Sequence, residues 1–385
     1  MQRSIYLDNA ATTPMAPEVA DAMQPFLLDE FGNPSTFYEY GERAKNAMED
    51  SRNKIADLLG ADSSEIFFTG GGTEADNWVI KGIGLSRSQL HSWPGNHLIT
   101  TQLEHHAILN SCDYLEKMGV EISYVRPNPY GLVSAEQIEK LTKRNTMLIS
   151  VMHANNEIGT VEPIDEIGKM ARQRGIIFHT DAVQTMGHIP INLRDLPVDM
   201  LSASAHKFNG PKGTGFLFVR KSIELMPFIH GGAQERGKRA GTENVAGIVG
   251  MAKALELSYE RMSVNRRKVK EMRNYLVRRV LDEIEDVIYN GSHERRLPGN
   301  ASFSFKGIDA QMLLVLLAEQ GIFASAGSAC NSEKREVSHV IKAIGVHKEY
   351  APGTIRFSLD HNNSIEEIAI ALSALKKSVS ILRMV

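Results

Sequence analysis

Short apolar runs alternate with stretches of helical periodicity over most of the chain. Between about residues 16 and 250, the runs have the length and composition of buried strands, and the stretches between them have that of helices. The predicted strands are 65–69, 97–101, 122–125, 146–151, 175–180, 198–203 and 215–220. Because continuous apolar strands separated by helices form sheets that are covered on both faces, this region predicts a mostly parallel sheet between helices.

The remainder of the chain predicts a second, smaller unit. A long charged helical stretch, roughly 246–287, leads into it, and we interpret its charges as a solvated face. The elements predicted beyond it are a strand at Ala301 to Phe305, a helix at Asp309 to Glu319, a polar loop, a strand around Ile355 to Ser358 and a helix from about Ile365. We therefore expect a large α/β domain at 16–250 and a small α+β domain made of 1–15 and 251–385.

Composition excludes several classes of protein. The 385 residues are 42% apolar, which suffices for a large core. The 46 acidic and 43 basic residues give a net charge of −3. The electrostatic field of the protein therefore does not favour direct binding to nucleic acid or to an anionic membrane. No apolar run has the roughly 18 residues of a membrane span. The start of the sequence also lacks the apolar core of a secretory signal, so we expect a cytoplasmic protein.

The segment SAHKFNGPKGTGF, residues 204–216, carries the first candidate chemistry. It places Lys207 between hydroxyl and imidazole donors and a glycine-rich turn. A lysine whose amine is kept neutral forms Schiff bases with carbonyl cofactors, and Ser204 and His206 are suitable donors to a nearby phosphate. The candidate carbonyl is that of pyridoxal phosphate (PLP).

The segment HTDAVQ, residues 179–184, supports the same cofactor. It follows the apolar run 175–178, so Asp181 should lie at the carboxyl end of a buried strand, where ligand crevices form. A carboxylate there suits the protonated pyridine nitrogen of PLP, and Gln184 can reach the phenolic oxygen. The alternative for Asp181 is a helix cap.

A glycine-rich turn supplies the expected phosphate site. TGGGTEADN, residues 69–77, follows a strand and precedes a helix, so its backbone amides can bind an anion. The turn lacks the lysine of a nucleotide P-loop and is not GxGxxG, which argues against ATP and NAD.

Taken together, these motifs resemble the cysteine desulfurases related to NifS and IscS. These enzymes belong to the class V aminotransferase group with the fold-type I PLP architecture. The similarity extends from YLDNAATTP, near the start, to RFSLD, near the end. It implies that Lys207 forms the Schiff base, Asp181 pairs with the pyridine nitrogen and Gln184 pairs with the phenolic oxygen. The phosphate contacts that it implies are Gly72, Thr73, Ser204 and His206.

The resemblance also assigns roles around the reacting carbon. In LEHHAI, residues 103–108, it selects His105 rather than His106 as the imidazole that lies on the pyridine ring and exchanges protons. In MHANNEIGT, residues 152–160, it points to Asn156 as a contact to substrate and to the phenolic oxygen. Without the resemblance, the histidines suit ordinary structural hydrogen bonds and the asparagines suit a turn.

The two cysteines have different surroundings in the sequence. Cys330 lies in the polar segment SAGSACNSEKREVSH, and the resemblance implies that it attacks the sulfur of bound cysteine and retains it as a persulfide. Cys112 follows a helical apolar pattern, so we assign it to packing. Such sparse use of cysteine argues against disulfides, and no metal-ligand spacing connects the two, so no metal site is expected.

Three further residues are assigned by the resemblance. Arg356, in IRFSL, pairs bidentately with the substrate carboxylate, and Asn33, in FGNPS, assists on the substrate side. Thr242, in RAGTEN, crosses to the phosphate of a partner subunit, which requires a homodimer.

The implied activity is conversion of L-cysteine to L-alanine, with sulfur passed through Cys330 to an acceptor protein. The acceptor stays open between an iron–sulfur scaffold, a tRNA-thiolating enzyme and another sulfur-modification system, because the sequence stops at Val385, where iron–sulfur relatives continue into a tail. A second departure is Ala205, where relatives usually have glycine. The alternatives are a selenocysteine lyase, which does not need the thiol, and a non-catalytic scaffold for sulfur assembly.

Overall fold

Strands and helices alternate as the hydrophobic pattern predicts. The computed structural model describes residues 4–85, 95–327 and 337–384. In these ranges the strands are β1 (Ile5–Tyr6), β2 (Ile66–Thr69), β3 (His97–Thr101), β4 (Glu121–Val125), β5 (Thr146–Ser150), β6 (Ile177–Asp181), β7 (Met200–Ser204), β8 (Gly215–Val219), β9 (Val287–Tyr289), β10 (Asn300–Phe305), β11 (Ile322–Phe323) and β12 (Thr354–Ser358). The helices are α1 (Pro17–Leu28), α2 (Glu39–Leu59), α3 (Gly72–Gly84), α4 (His106–Lys117), α5 (Ala135–Leu141), α6 (Ile164–Gln173), α7 (Val245–Glu283), α8 (Ala310–Glu319), α9 (His339–Ala343) and α10 (Ile365–Met384).

The largest sheet has seven strands within the described ranges. Their order is β2-β8-β7-β6-β5-β3-β4, and β8 is antiparallel to both of its neighbours while the other pairs are parallel. The reversal at β8 follows from its short connection to β7, residues 205–214, because a parallel crossover needs a dozen or more residues. The carboxyl ends of β2, β3, β5, β6 and β7 therefore meet at one edge of the sheet.

Each face of this sheet carries its own apolar core. Along β6, Phe178 belongs to one core and Ile177 to the other, and neither side chain is more than 2% exposed. Because both faces are covered, the strands are continuous apolar runs rather than alternating ones. The α/β fold with a mostly parallel sheet is thus confirmed.

A separate core lies in the smaller unit. Here β10 pairs antiparallel with β9 and β12, and β1 pairs in parallel with β11. Ile5 and Leu7, near the start of the chain, pack in the same cluster as Phe303, Phe357 and Leu375. The exact domain boundaries, at residues 15 and 250, stay a prediction.

The helix α7 contributes to both units. Its 39 residues span about 58 Å at 1.5 Å per residue. Met251 and Leu255 pack in the large core, whereas Met272 and Leu276 pack in the small one. The predicted helical stretch at 246–287 is therefore confirmed, with its end at Glu283.

Polar groups begin several of the helices. Asp309 Oδ1 accepts hydrogen bonds from the first amides of α8, and Ser134 forms a capping box with Gln137 at the start of α5. These N-caps begin the helices where the sequence changes from loop to apolar pattern. Over the ranges that the structure describes, no helix has the combination of length and hydropathy that a membrane span requires.

Candidate active site

A cavity of about 790 Å³ opens at the edge of the large sheet where the parallel strands end. Its walls come from the segments that follow β2, β3, β5, β6 and β7, together with residues 10–12 and one side chain of β12. The predicted site residues that line it are Gly72, Thr73, His105, Asn156, Asp181, Gln184, Ser204, His206, Lys207 and Arg356. The fold thus gathers side chains from all parts of the sequence around one space.

Lys207 is held at both its amine and its backbone. It ends a single short turn, Ala205–Lys207, that follows β7 directly. Its Nζ donates hydrogen bonds to the carbonyl oxygens of Ala10 and Ala11, each at 2.7 Å, and its own carbonyl lies 2.9 Å from His188 Nε2. The two carbonyls were not predicted, and the only signal for them was the motif YLDNAATTP that contains them.

Asp181 presents a buried carboxylate at the end of β6. It is 6% exposed, and its Oδ1 accepts a hydrogen bond of 2.9 Å from Val183 N. Burial raises its pKa to about 6, and the positive charge of Lys207 opposes that rise. Gln184 follows on the same connection, and its Nε2 donates to Ala10 O at 3.0 Å. A cationic group in the cavity would find its negative partner at Asp181.

Glycines form a cradle where β2 leads into α3. Gly71 has a φ of 146°, a conformation that side chains disfavour. A Cβ on Gly72 would lie 2.5 Å from Val183 Cγ2, so the backbone can pass this close only without a side chain. The first amides of α3 have no partners within the helix, and Thr73, Ser204 and His206 line the cavity beside them. This arrangement suits an anion.

His105 and His106 point into different surroundings. His105 lines the cavity and caps α4, with its Nδ1 accepting from Ala107 N at 3.1 Å. Burial, and then the charge of Lys207, lower its pKa to about 4, so the ring is neutral at neutral pH. His106 instead packs against the His339 ring, with ring centres 4.8 Å apart.

Arg356 brings a buried positive charge from the smaller unit into the cavity wall. It is 2% exposed, its Nη2 donates to Asp8 Oδ1 at 2.6 Å, and its Nη1 donates to Asn156 O at 2.8 Å. Among the described residues its buried Nε has no hydrogen-bond partner. The guanidinium is therefore fixed in place, and Nη1 and Nη2 each keep a second N–H for a further acceptor. Asp8 was not predicted as a site residue, although it lies in YLDNAATTP, one of the motifs on which the family resemblance rests.

Two predicted residues do not line the cavity of this single chain. Asn33 and Thr242 are exposed and do not line it. Cys330 lies outside the described residues. Cys112, by contrast, is fully buried among apolar side chains, and burial raises the pKa of its thiol, which confirms its assignment to packing.

The cavity fits PLP in its chemistry. It offers an anion cradle for a phosphate, a buried carboxylate for a protonated ring nitrogen and a lysine amine for an aldehyde. The lysine follows the strand next to that of the carboxylate, because β6 and β7 are neighbours in the sheet. Each of these three groups is supplied by a different connection at the same sheet edge.

Comparison with known proteins agrees with this geometry. The family model described as aminotransferase class-V matches residues 5–370. A cysteine desulfurase IscS of Dictyoglomus turgidum is 49% identical over 383 residues, covering 100% of this chain and 96% of that protein. One from Methanosarcina thermophila is 46% identical, covering 99% and 93%.

Solved structures give the same result. A structure titled "NIFS-LIKE PROTEIN" superposes with a TM-score of 0.91 at 38% identity, and all of both chains is covered. Another, titled "SspA in complex with cysteine", has a TM-score of 0.83 at 38% identity and covers 94% of this chain and 100% of that one. The chain therefore belongs to the class V aminotransferases and, within them, to the PLP-dependent cysteine desulfurases of the NifS and IscS type.

Proposed function

We propose that this cysteine desulfurase converts L-cysteine to L-alanine in the cavity beside Lys207 and transfers the sulfur atom to Cys330. The observation that carries the proposal is the meeting of Lys207, Asp181 and Arg356 at one cavity. L-cysteine and the Cys330 thiol react to give L-alanine and a Cys330 persulfide. Atoms and electrons balance in this exchange, so it needs no separate oxidant.

The cofactor is held by residues with complementary charge and hydrogen bonding. Asp181 pairs with the ring nitrogen and Gln184 with the phenolic oxygen, and the phosphate contacts are Gly72, Thr73, Ser204 and His206. Bound PLP supplies an electron sink for the pair left on the α-carbon of the substrate when its proton is removed. Asp181 maintains that capacity because its carboxylate keeps the ring nitrogen protonated.

Arg356 recognises the carboxylate of the substrate. Asp8 and the carbonyl of Asn156 hold its guanidinium, so little side-chain entropy is lost when an anion binds. The Asn156 side chain and Asn33 assist on the substrate side. A planar fork meets a carboxylate with two parallel hydrogen bonds, which also fixes the direction of the α-carbon.

Lys207 and His105 act near the reacting carbon. Lys207 takes the α-proton, since its Nζ is the amine that the cofactor aldehyde binds. His105 is uncharged at neutral pH, and its Nδ1 accepts from Ala107 N, so the ring hydrogen is on Nε2. His105 therefore acts as a hydrogen-bond donor beside the reacting carbon rather than as the base for the Cys330 thiol.

A second copy of the chain would complete the site. Exposed apolar side chains cluster within residues 27–40. The most exposed of them is Phe37, at 98%, and the cluster also contains Leu27, Leu28, Phe31, Tyr38 and Tyr40. A patch of this kind typically marks a protein interface. Together with the exposed position of Thr242, it supports a homodimer in which Thr242 reaches the phosphate of the partner's site.

The persulfide then passes to an acceptor protein. The candidates are an iron–sulfur scaffold and a tRNA-thiolating enzyme. Charging Cys330 with radiosulfur from cysteine and offering each purified acceptor distinguishes them, because only the true acceptor takes up the label at a rate that matches turnover.

The proposed role of Cys330 is tested by a matched pair of variants. Cys330→Ala should lower alanine formation from cysteine by more than about 100-fold, because the sulfur acceptor is lost, while PLP stays bound. Cys112→Ala should retain turnover. Selenocysteine is the informative second substrate. A selenocysteine lyase does not need the Cys330 thiol, so selenocysteine turnover that persists in Cys330→Ala distinguishes the lyase reaction from cysteine desulfuration. Wild-type rates of alanine formation in Cys330→Ala would contradict the proposal.

A further inference from the structure

Glu74 places a carboxylate beside the glycine cradle. It lies in the first turn of α3, which begins at Gly72, and its side chain lines the cavity. Its Oε2 accepts a hydrogen bond of 2.8 Å from Gly70 N, so the carboxylate lies against the backbone of the cradle itself. A carboxylate in this position repels a phosphate, because like charges that are partly shielded from water interact strongly. The position of Glu74 therefore requires a compensating positive charge.

Arg239 supplies that charge. Its Nε donates to Glu74 Oε1 at 2.8 Å and its Nη2 donates to Glu74 Oε2 at 3.2 Å, which is the paired geometry in which a guanidinium meets a carboxylate best. The Arg239 and Glu74 side chains are 22% and 19% exposed, so water screens the pair only in part. Among the described residues, Arg239 is the only cation that pairs with Glu74. Arg239 does not itself line the cavity, so any effect on a bound anion passes through Glu74.

The segment that carries Arg239 is held in place independently of Glu74. Glu235, which is 5% exposed, accepts hydrogen bonds from both terminal nitrogens of Arg52, at 2.8 and 2.9 Å, and one from Phe68 N at 2.8 Å. The backbone of Arg239 forms a parallel bridge with Ile229. The fold therefore brings Arg239 to α3, and the ion pair does not have to order the segment by itself.

A strained turn precedes Arg239. Glu235 and Arg236 have φ angles of 45° and 59°, in the left-handed region that favours glycine. Arg236 is fixed there, because its Nη1 donates to Ser64 O at 2.7 Å and its Nη2 donates to Ser63 O at 3.1 Å. Backbone strain of this kind persists only where the surrounding structure imposes it, and it concentrates at functional sites. The conformation that presents Arg239 is therefore one that the protein maintains at a cost.

We propose that Arg239 is a positioning residue for the phosphate cradle, because it neutralises Glu74 and keeps that carboxylate on Gly70 N. The inference rests on the proposed function only in taking the cradle as the phosphate site. Without Arg239, an unpaired carboxylate faces the phosphate of PLP. With Arg239, Glu74 can fix the backbone of the cradle without excluding the anion that the cradle binds.

Binding of PLP and of pyridoxal to the apoenzyme tests the inference without turnover. Pyridoxal lacks the phosphate, so the ratio of the two Kd values isolates the phosphate contribution. In Arg239→Gln, the Kd for PLP should rise about tenfold or more relative to that for pyridoxal, because the Glu74 carboxylate loses its cation. Visible absorbance of the bound ligand measures both constants. Equal loss of affinity for the two ligands, or no loss, overturns the inference.

The double variant Glu74→Gln with Arg239→Gln separates neutralisation from other effects. It should restore most of the preference for PLP, because an amide does not repel phosphate and its oxygen can still accept from Gly70 N. A loss that acted through Thr242, three residues after Arg239, would not be restored in this way. A double variant as defective as Arg239→Gln therefore contradicts the proposal.

Glu74→Gln alone gives a result of opposite sign, and it serves if Arg239→Gln does not fold. It leaves the Arg239 guanidinium beside the cradle without a carboxylate, so the preference for PLP over pyridoxal should be kept or increased. A purely structural pair would weaken PLP binding when either partner is lost. A reduced preference for PLP in Glu74→Gln overturns the inference.

Arg236→Gln is the matched control. It removes an equal charge from the same segment and breaks the contacts to the carbonyls of Ser63 and Ser64, but it leaves the pair of Arg239 with Glu74 in place. The ratio of the Kd values should stay within about twofold of the wild type, because the lost charge is farther from the phosphate and is screened. A tenfold change would show that loosening the segment is sufficient, and the role of the ion pair would be wrong.

Ser204→Ala distinguishes failure of the inference from failure of the proposed function. If Ser204→Ala leaves the preference for PLP unchanged, the cradle is not the phosphate site and the proposed function is wrong on that point. If Ser204→Ala reduces the preference while Arg239→Gln does not, only the role of Arg239 is wrong. Neither result depends on the formation of alanine from cysteine.

Discussion

Two sides of the proposed site are built in different ways. On the strand-end wall, formed by Asp181, Gln184 and Lys207, side chains are held by hydrogen bonds to backbone groups of the sheet connections and of residues 10–11. On the outer side, the proposed contacts Asn33 and Thr242 are exposed to solvent in the single chain and do not line the cavity. One folded chain thus suffices to organise the wall for the cofactor. The outer side depends on whatever covers it, for which we propose a second copy.

The largest effect is expected on the strand-end wall, in Lys207→Ala. Loss of the amine removes both the covalent anchor and the base, so alanine formation should fall by about 10³-fold or more. Lys140→Ala is the control, because it removes an equal charge from an exposed side chain that does not line the cavity. Alanine assays measure turnover in both variants, and the visible absorbance of bound PLP measures cofactor attachment. Substantial turnover in Lys207→Ala would refute the assignment.

Arg356→Lys tests the contribution of the smaller unit to the same wall. The ammonium keeps the charge but cannot form two parallel bonds to a carboxylate while also contacting Asp8 and Asn156 O. We expect KM for cysteine to rise about 100-fold, an effect of two good hydrogen bonds to a charged group, with a smaller change in kcat. Steady-state kinetics measure both constants. An unchanged KM would place the substrate carboxylate elsewhere.

On the outer side, Thr242→Ala should act across subunits. Loss of one hydrogen bond to phosphate should speed PLP dissociation about tenfold, measured by the decay of visible absorbance on dilution. Mixed dimers of Thr242→Ala and Lys207→Ala sharpen the test. One of their two sites has neither defect if Thr242 serves the partner, so at a PLP concentration that only partly loads Thr242→Ala the activity per dimer should exceed the average of the two parents. Activity no higher than the parental average would place Thr242 in its own subunit's site, or in none.

The smallest expected effect is on stability. The pKa of Asp181 is raised from 3.8 to about 6 in the folded chain, so its contribution to stability is complete below pH 4 and is lost as the pH rises through 6. Asp181→Asn should therefore raise the Tm of the apoenzyme at pH 7.5 by about 2 to 4 °C and leave it unchanged near pH 4. Exposed Asp165→Asn is the control in calorimetry. A lower Tm at pH 7.5 would contradict this account.

The sequence predicted most of the strands and their ends because both depend on local patterns. Asp181 and Lys207 follow apolar runs, and parallel strands end at a common edge. The direction of β8 was not predictable in this way, since a buried run is equally apolar whichever way it points. Its reversal depends on the length of the connection from β7.

Contacts between distant segments could not be predicted from local pattern. Asp8 and Arg356 are 348 residues apart, and the carbonyls that hold Lys207 have no side-chain signature at all. The ion pair that holds Arg356 is therefore a tertiary feature, whereas the cofactor can be predicted from short segments.

The helix α7 makes the two units unfold together. Since its first half lies in one core and its second half in the other, neither core can melt without exposing apolar side chains of a helix that the other core needs. Heating should accordingly give one calorimetric endotherm for both units, and brief proteolysis should not release either unit as a folded fragment. In this chain, a single continuous helix couples the unfolding of the large unit to that of the small one.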